Sequence, residues 1–263
     1  MKLLRADSWS NYIEPVVVGG VPVAPLTTQQ WVELMVSDCK AVRAGTEKVK
    51  YHTAVNGNVL SQFARRGDVR ETILRADAVA ADGVSILWGA RRFARREIPS
   101  RAATTDLFHD LARTAEREGF SMYFLGATEE ENAAALANVR KSYPRLKIAG
   151  ARSGYFTTAE EADVVQQIID SRPDILWVAL GMPREDLFVA RHLDKFERIG
   201  WVKTCGGLFN FLSGLRSRAP QWMQQAGLEW AYRTLLEPRR LFWRYFTTNI
   251  HAIWLMATRS RPR

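Results

Sequence analysis

One carboxylate followed by a run of arginines is the pairing in this chain best suited to chemistry. Residues 76–101 read ADAVAADGVSILWGARRFARREIPSR. Asp82 closes a short apolar run over residues 78–81, and Gly83 breaks it. An apolar helical stretch follows over residues 84–94. Arg91, Arg92, Arg95, Arg96 and Arg101 come at and after its end. A carboxylate at the C-terminal end of a strand, just ahead of a helix, stands where open α/β sheets hold their ligands. Beside cations it can take a proton from a nucleophile while the cations neutralise an anionic partner. The same residues also read as an Asp-Gly turn with a solvated basic helix end.

A sheet is needed to position such a pair, and the hydrophobic pattern supplies one. Strands are predicted at residues 49–55, 78–81, 120–125, 147–151, 174–180 and 200–205, with a short edge strand at 21–25. Helical stretches alternate with them at 27–43, 60–64, 69–74, 105–117, 129–142, 158–171 and 184–196. Thr27 or Thr28 is the expected cap of the first helix, and Thr157 or Thr158 of the helix over 158–171. Thr128 with Glu131 has the spacing of a capping box. The run ILWVAL at 175–180 is apolar on both faces, as in a parallel strand covered on both sides. The fold class predicted is α/β, a Rossmann-like parallel sheet covered by helices. Asn56, Asp82, Gly126, Gly181 and the pair Gly206-Gly207 fall at strand ends. Glycine there lets a backbone N–H approach a phosphate, and the next helix adds its N-terminal dipole. Gly126 taken alone also reads as a structural turn. Neither G-x-G-x-x-G nor a P-loop is present.

Composition bounds the rest. The 263 residues are 47% hydrophobic and 25% charged, a globular balance. The two cysteines, Cys39 and Cys205, give no disulfide framework and no zinc spacing, which fits a reducing compartment. The first residues carry Asp7 and Glu14 and no apolar core of a secretory leader, so none is expected. No run approaches the ~20 apolar residues of a membrane span. The histidines His52, His109, His192 and His251 are scattered and read as structural, with only His52 near the expected cleft.

The net charge of +9 is uneven: residues 214–263 hold nine arginines, no lysine, and only Glu229 and Glu237 as acids. That segment also has four of the nine tryptophans. Pro220 and Pro238 can each open a helix. Trp222, Ala226 and Trp230 form one apolar stripe. Phe242, Phe246, Ile250, Ile253 and Ala257 form a second, flanked by Arg240 and Arg244. The domain division expected is 1–213, a catalytic α/β domain, and 214–263, a basic, aromatic-rich helical appendage for membrane association. The other reading is that both stripes pack on the α/β domain. Arginines near an anionic leaflet contribute roughly 1 kcal/mol each.

From about residue 49 to 246 the chain resembles the WecG/TagA/CpsF family of bacterial glycosyltransferases. The resemblance rests on ADGVSILWGAR (81–91), TTDLF (104–108), LGMPREDLF (180–188), GGLFNFLSG (206–214), RAPQWMQQAGLEWAYR (218–233) and EPRRLFWRY (237–245). It implies an inverting transfer from a UDP-sugar donor to a polyprenyl-diphosphate-linked sugar in surface polysaccharide or exopolysaccharide synthesis. It also implies a cytoplasmic enzyme, peripheral on the anionic inner face of the membrane, with no cofactor and no essential metal. It leaves room for a homo-oligomer.

By the resemblance, Asp82 is the general base, Arg101 stabilises the diphosphate, and Asn56, which aligns with the Asn of the family's T-x-N, is the third catalytic residue. The matching motifs carry over Gly83, Thr105, Asp106, Gly181, Pro183, Glu185, Gly206 and Gly207 as substrate-binding; Thr53, one place before the Thr slot, and Gly126, at another strand end, are counted with them, and Arg216, Arg218 and Arg233 are tail arginines able to reach a diphosphate. Two departures stand out. The T-x-N of the first strand end reads HTAVNGN at 52–58, so the Thr slot falls on Ala54, with Thr53 one place earlier. The G-x-P-x-Q-E loop reads GMPRED at 181–186, placing Glu185 where the family has Gln. That exchange of a donor for a carboxylate sets the substrate contacts at Glu185 apart from the family's and marks a different sugar donor; of the donors the resemblance implies, UDP-glucose, used by the GumM-like branch, is favoured over UDP-N-acetylmannosamine or its uronate.

Other functions fit less of the chain. A non-catalytic nucleotide-binding module docked on the membrane keeps the sheet and tail and makes Asp82 a turn residue. A NAD-dependent oxidoreductase lacks its glycine fingerprint. No nucleic acid partner is expected, because the tail's long apolar stripes suit lipid better.

Overall fold

A computed structural model of the chain describes residues 14–261. Asp7 and the segment in which no secretory leader is expected lie outside the described residues, as do the side chains of Arg240 and Arg244.

The described chain opens with a hairpin, β1 (Val16–Val18) antiparallel to β2 (Val21–Val23). The sequence predicted only the second strand, since three residues are too few to show an alternation. Ala24 N–H then donates to Val79 O (2.9 Å), so the hairpin's exit covers the edge of the main sheet. α1 (Thr28–Arg43) starts at Thr27, whose hydroxyl and the Gln30 side chain cap each other's N–H groups.

The alternation follows as predicted: β3 (Lys50–Val55), α2 (Gly57–Arg65), α3 (Gly67–Arg75), β4 (Ala78–Ala81), α4 (Val84–Gly89) running into a π-turn at Ala90–Ala94, α5 (Thr104–Glu118), β5 (Ser121–Gly126), α6 (Glu129–Ser142) and β6 (Lys147–Arg152). Then come α7 (Glu161–Ser171), β7 (Ile175–Ala179), α8 (Arg184–His192) with a 3-10 turn at Leu193–Lys195, and β8 (Trp201–Thr204). The Thr128–Glu131 capping box opens α6 as expected. The cap expected at Thr157 or Thr158 does not open α7. Thr157 and Glu160 bond each other in the preceding turn, and the helix starts after them.

The six strands lie in the order β4-β3-β8-β7-β5-β6, every pair parallel. Alternate strand residues face opposite layers. Met122, Phe124, Ile175, Trp177 and Trp201 pack with Trp31, Phe108 and Leu111 of α1 and α5. Leu125, Leu176, Val178 and Val202 pack with Val164, Ile168 and Phe188 of α7 and α8. β7 is wholly buried, which is why its sequence is apolar at every position.

After β8 come α9 (Leu208–Leu212), α10 (Gln221–Gln225), α11 (Glu229–Leu236) and α12 (Pro238–Arg259), and no strand among the described residues. Trp222, Ala226 and Trp230 do not share one helix as their spacing suggested. Gly227 turns left-handed at φ +71°, ending α10 and restarting the chain as α11. α12 begins with Pro238 in its first turn, as predicted. Its last turns bury Ala252, Leu255 and Met256 in a third core with Val16, Val18, Leu60, Phe63 and Ile86. Its other face leaves Phe242, Trp243, Phe246, Ile250, Ile253 and Trp254 each about half exposed or more.

Candidate active site

The C-terminal ends of β3, β4, β7 and β8 open on one cleft of about 840 Å³. β3, β8 and β7 are the central strands around which the chain order reverses, the place where open α/β sheets bind ligands, and β4 flanks them at the sheet edge. Asn56, Asp82, Gly83, Gly181, Gly206 and Gly207 line its floor, and Trp230, Arg233, Phe242, Phe246 and Ile250 of α11 and α12 form its far wall.

Asp82 is fixed by two elements. Its Oδ1 accepts the Thr104 N–H at 3.0 Å, where α5 starts, and its Oδ2 accepts from Asn56 Nδ2 at 3.4 Å. No side chain of α5's own N-cap residue, Ala103, is able to do this, so a carboxylate from the neighbouring strand end serves the helix instead. Asn56 is itself oriented by α2. Its Oδ1 accepts the Asn58 and Val59 N–H groups at 3.1 and 3.2 Å, which turns its amide nitrogen toward Asp82. An Asp held this way, half-buried at a cleft floor, is aimed and keeps a lone pair for a proton.

Of the five arginines that follow Asp82 in sequence, only Arg101 lines the cleft. Arg91, Arg92 and Arg95 are exposed, and Arg96 pairs with Glu14 at 3.4 Å. The expected cationic cluster is therefore a single guanidinium. Its Nε donates to the Asp82 carbonyl oxygen (2.7 Å), Nη1 to the Gln224 carbonyl (3.3 Å), and Nη2 to the Glu229 carboxylate.

The remaining residues singled out by sequence fall into two groups. Thr53, Thr105, Glu185 and Arg233 line the same cleft. Gly126, Pro183, Asp106, Arg216 and Arg218 do not line it. A Cβ on Gly126 would lie 2.3 Å from the Ala179 carbonyl oxygen, so this glycine lets β5 and β7 approach and takes no place at the ligand surface. Pro183 follows a cis bond from Met182 and precedes α8. Asp106 accepts from Arg218 at 2.5 Å, Arg218 also reaches Glu229 at 3.6 Å, and Arg216 pairs with Glu237 at 3.3 Å.

The glycine loops do not offer their N–H groups freely. Gly181 N–H and Gly206 N–H both donate to the Glu185 carboxyl. Next to it Asp186 accepts from Tyr51 (2.5 Å) and Thr53 (2.9 Å) hydroxyls, and Thr204 donates to Thr53 at 2.7 Å. Lys203, fully buried on β8, is the nearby cation, and burial pulls its ammonium below the usual lysine range.

His52 is not a cleft residue. It stacks on Trp201 at 3.6 Å and meets Asp38 at 3.1 Å inside the core. Burial lowers it to about 3 and raises Asp38 to about 8, so the pair is neutral at pH 7. His109, His192 and His251 bond Tyr143, Glu161 and Ser61. Among the described residues no three of His, Cys, Asp and Glu converge in a metal-holding group.

Sequence reasoning missed Thr104 as the donor to Asp82, Glu229 as the partner of Arg101, and the Asp186–Lys203 layer under the floor. Glu229 had a signal: it is one of only two acids in a segment of nine arginines.

The fold is a parallel α/β sheet of Rossmann-like form, with an oriented carboxylate and an arginine in one cleft. The chain belongs to the WecG/TagA/CpsF family of glycosyl transferases, whose family model matches residues 16–263. It is also similar to an N-acetylglucosaminyldiphosphoundecaprenol N-acetyl-beta-D-mannosaminyltransferase of Bacillus subtilis (strain 168). The two are 28% identical over 188 residues, 72% of each chain.

Proposed function

We propose that this protein is an inverting transferase that moves a hexosyl unit from a UDP-sugar to a sugar carried on a polyprenyl diphosphate. The observation that carries the reading is Asp82, held by Thr104 N–H and Asn56 in the same cleft as Arg101. In the reaction, Asp82 takes the proton of the acceptor hydroxyl as its oxygen attacks the anomeric carbon. The bond from that carbon to the UDP oxygen breaks, and the departing diphosphate carries the charge. Arg101 and Arg233 are the cleft arginines that face it.

The relative's name supports a lipid-diphosphate N-acetylglucosamine as acceptor and an N-acetylmannosaminyl donor. UDP-N-acetylmannosamine is thus the first donor to test, ahead of the UDP-glucose favoured by the GMPRED loop. The exposed face of α12, with Trp243 and Trp254 beside the cleft wall, suits a peripheral seat on an anionic membrane. No helix of the described residues is long and apolar enough to cross one.

The test is a donor screen with radiolabelled UDP-N-acetylmannosamine, its uronate and UDP-glucose against detergent-dispersed lipid-diphosphate N-acetylglucosamine and glucose. Transfer that depends on Asp82 is expected. UDP binding without transfer from any donor would shift the protein to a non-catalytic nucleotide-binding role.

A further inference from the structure

Glu185 and Asp186 lie in the first turn of α8, under the cleft floor, and both are buried. Glu185 bridges two loops. Its Oε2 accepts Gly181 N–H and Gly206 N–H, each at 3.0 Å, and its Oε1 shares the Gly206 N–H at 3.1 Å. These loops end β7 and β8, where an approaching phosphate would look for backbone donors. With both N–H groups taken, what lines the cleft there is a carboxyl group.

Asp186 turns the other way. Its Oδ1 collects the Tyr51 and Thr53 hydroxyls, and its Oδ2 is buried with no hydrogen-bond partner among the described residues. The charged and titratable groups facing the pair are Tyr51 of β3, Lys203 of β8 and Cys205 just after it. Across the cleft stand Asp82, Arg101, Glu229 and Arg233. Of these, Arg101 is held by Glu229. Lys203 is one buried cation beside two carboxyls, and among the described residues its ammonium makes one hydrogen bond, a 3.5 Å contact to Thr204 O. One positive charge cannot neutralise both acids, and two adjacent carboxylates in a low-dielectric site do not both ionise. Burial first, and the Asp186 charge second, raise Glu185 to about 8. Asp186 is raised as well, by burial, though three hydroxyls oppose this.

We propose that Glu185 couples donor binding to a proton: the anionic diphosphate seats against the neutral Glu185 carboxyl, and where that carboxyl is ionised the ligand binds together with one proton. This rests on the UDP-sugar reading above. An ionised Glu185 would place a negative charge at the mouth of the two glycine loops and repel the ligand. A neutral one keeps the loops tied and adds an O–H donor. The sign follows: the carboxyl is neutral below about 8 and charged above it, so affinity is full at neutral pH and falls as pH rises through that value.

UDP is the probe, titrated calorimetrically into the full chain at about pH 7 and about pH 9. Wild-type Kd is expected to rise about tenfold across that interval, with net proton uptake at the upper end seen in buffers of different ionisation enthalpy. Glu185→Gln should bind UDP with nearly constant Kd and no uptake, and any titration of UDP itself is common to both proteins. Asp186→Asn, which removes the neighbouring charge, should move the fall in affinity to lower pH. Wild-type binding without proton uptake at about pH 9 overturns the proposal without recourse to a variant. An equal rise of Kd in Glu185→Gln overturns it too, while leaving the nucleotide reading intact. Failure of UDP to bind either protein at any pH overturns both.

Discussion

The guanidinium of Arg101 is clasped by the carboxylate of Glu229, 128 residues further along the chain. The arginine proposed for the diphosphate is thus joined to the C-terminal segment through a charge that would compete with that ligand. Glu229→Gln should free Arg101 and tighten UDP binding several-fold, whereas Arg101→Ala should weaken it by ~10- to 100-fold, the equivalent of about 1.5–3 kcal/mol for a charge-assisted bond. Calorimetry on both variants checks this. Unchanged affinity in Arg101→Ala would remove that residue from the diphosphate site.

Asp82→Asn keeps the acceptor oxygen facing Thr104 N–H but removes the proposed base. Turnover is expected to fall by ~10²- to 10⁴-fold with UDP affinity nearly unchanged. Asn56→Ala should give a smaller loss, because it frees the carboxylate without deleting it, and should also loosen α2 by about 1 kcal/mol through its lost cap. Single-turnover assays alongside thermal melts separate the two effects.

Gly126 is expected to matter for folding and not for ligand. Gly126→Ala puts a methyl against the Ala179 carbonyl at a residue with φ +143°, a strain of at least ~2 kcal/mol. Its melting temperature should drop while the folded fraction binds UDP like the wild type. A selective loss of UDP affinity with an unchanged melt would return Gly126 to the site.

Asp174 ties three elements together by accepting Arg43 (2.5 and 2.7 Å) and the Ser121 N–H and hydroxyl (2.7 and 2.8 Å). Burial works against the charge, but these bonds outweigh it and hold the carboxyl below its usual range. A depressed carboxyl contributes stability above its unfolded value of about 4 and loses it as pH falls through the folded one. Asp174→Asn should therefore cost about 2 kcal/mol at neutral pH, discounted for the half-exposed Arg43. The gap should close in strong acid. Denaturant melts at neutral and acid pH measure it.

Membrane docking calls for point substitutions, because removal of residues 214–263 would also strip Leu255 and Met256 from a core. A Phe242→Ser, Phe246→Ser, Ile253→Ser variant should lose most of its binding to anionic vesicles while keeping its circular dichroism. Vesicle co-sedimentation reads the loss directly. Undiminished binding would assign that face to another partner.

What could be read from the sequence was local in character. The strand ends that bear Asn56 and Asp82, the Thr128–Glu131 box and the apolar run of β7 each announce themselves within a few residues, through period, cap or turn chemistry. Contacts between distant segments gave no such signal. Thr104 holds Asp82 through a backbone N–H, a group that every residue but proline carries. The basic run after Asp82 looked like one cluster, yet the π-turn and a left-handed Arg95 disperse it. Gly206 looked like a phosphate donor, but Glu185 claims its N–H from the first turn of α8. The Gln-to-Glu departure at 185 was visible in the residues; its burial beside Asp186 was not.

The sheet order has a consequence for how the protein is made. β8 is the last strand synthesised, and it inserts between β3 and β7. Before it emerges from the ribosome, the strands belong to two separate ribbons, β4-β3 and β7-β5-β6, each with an unpaired inner edge. A nascent chain therefore carries Asp82 and Arg101 long before it carries a cleft. Joining the ribbons through β8 closes long-range contacts late and slowly. That interval is when a chaperone would be needed, and when a protease would find the chain most open.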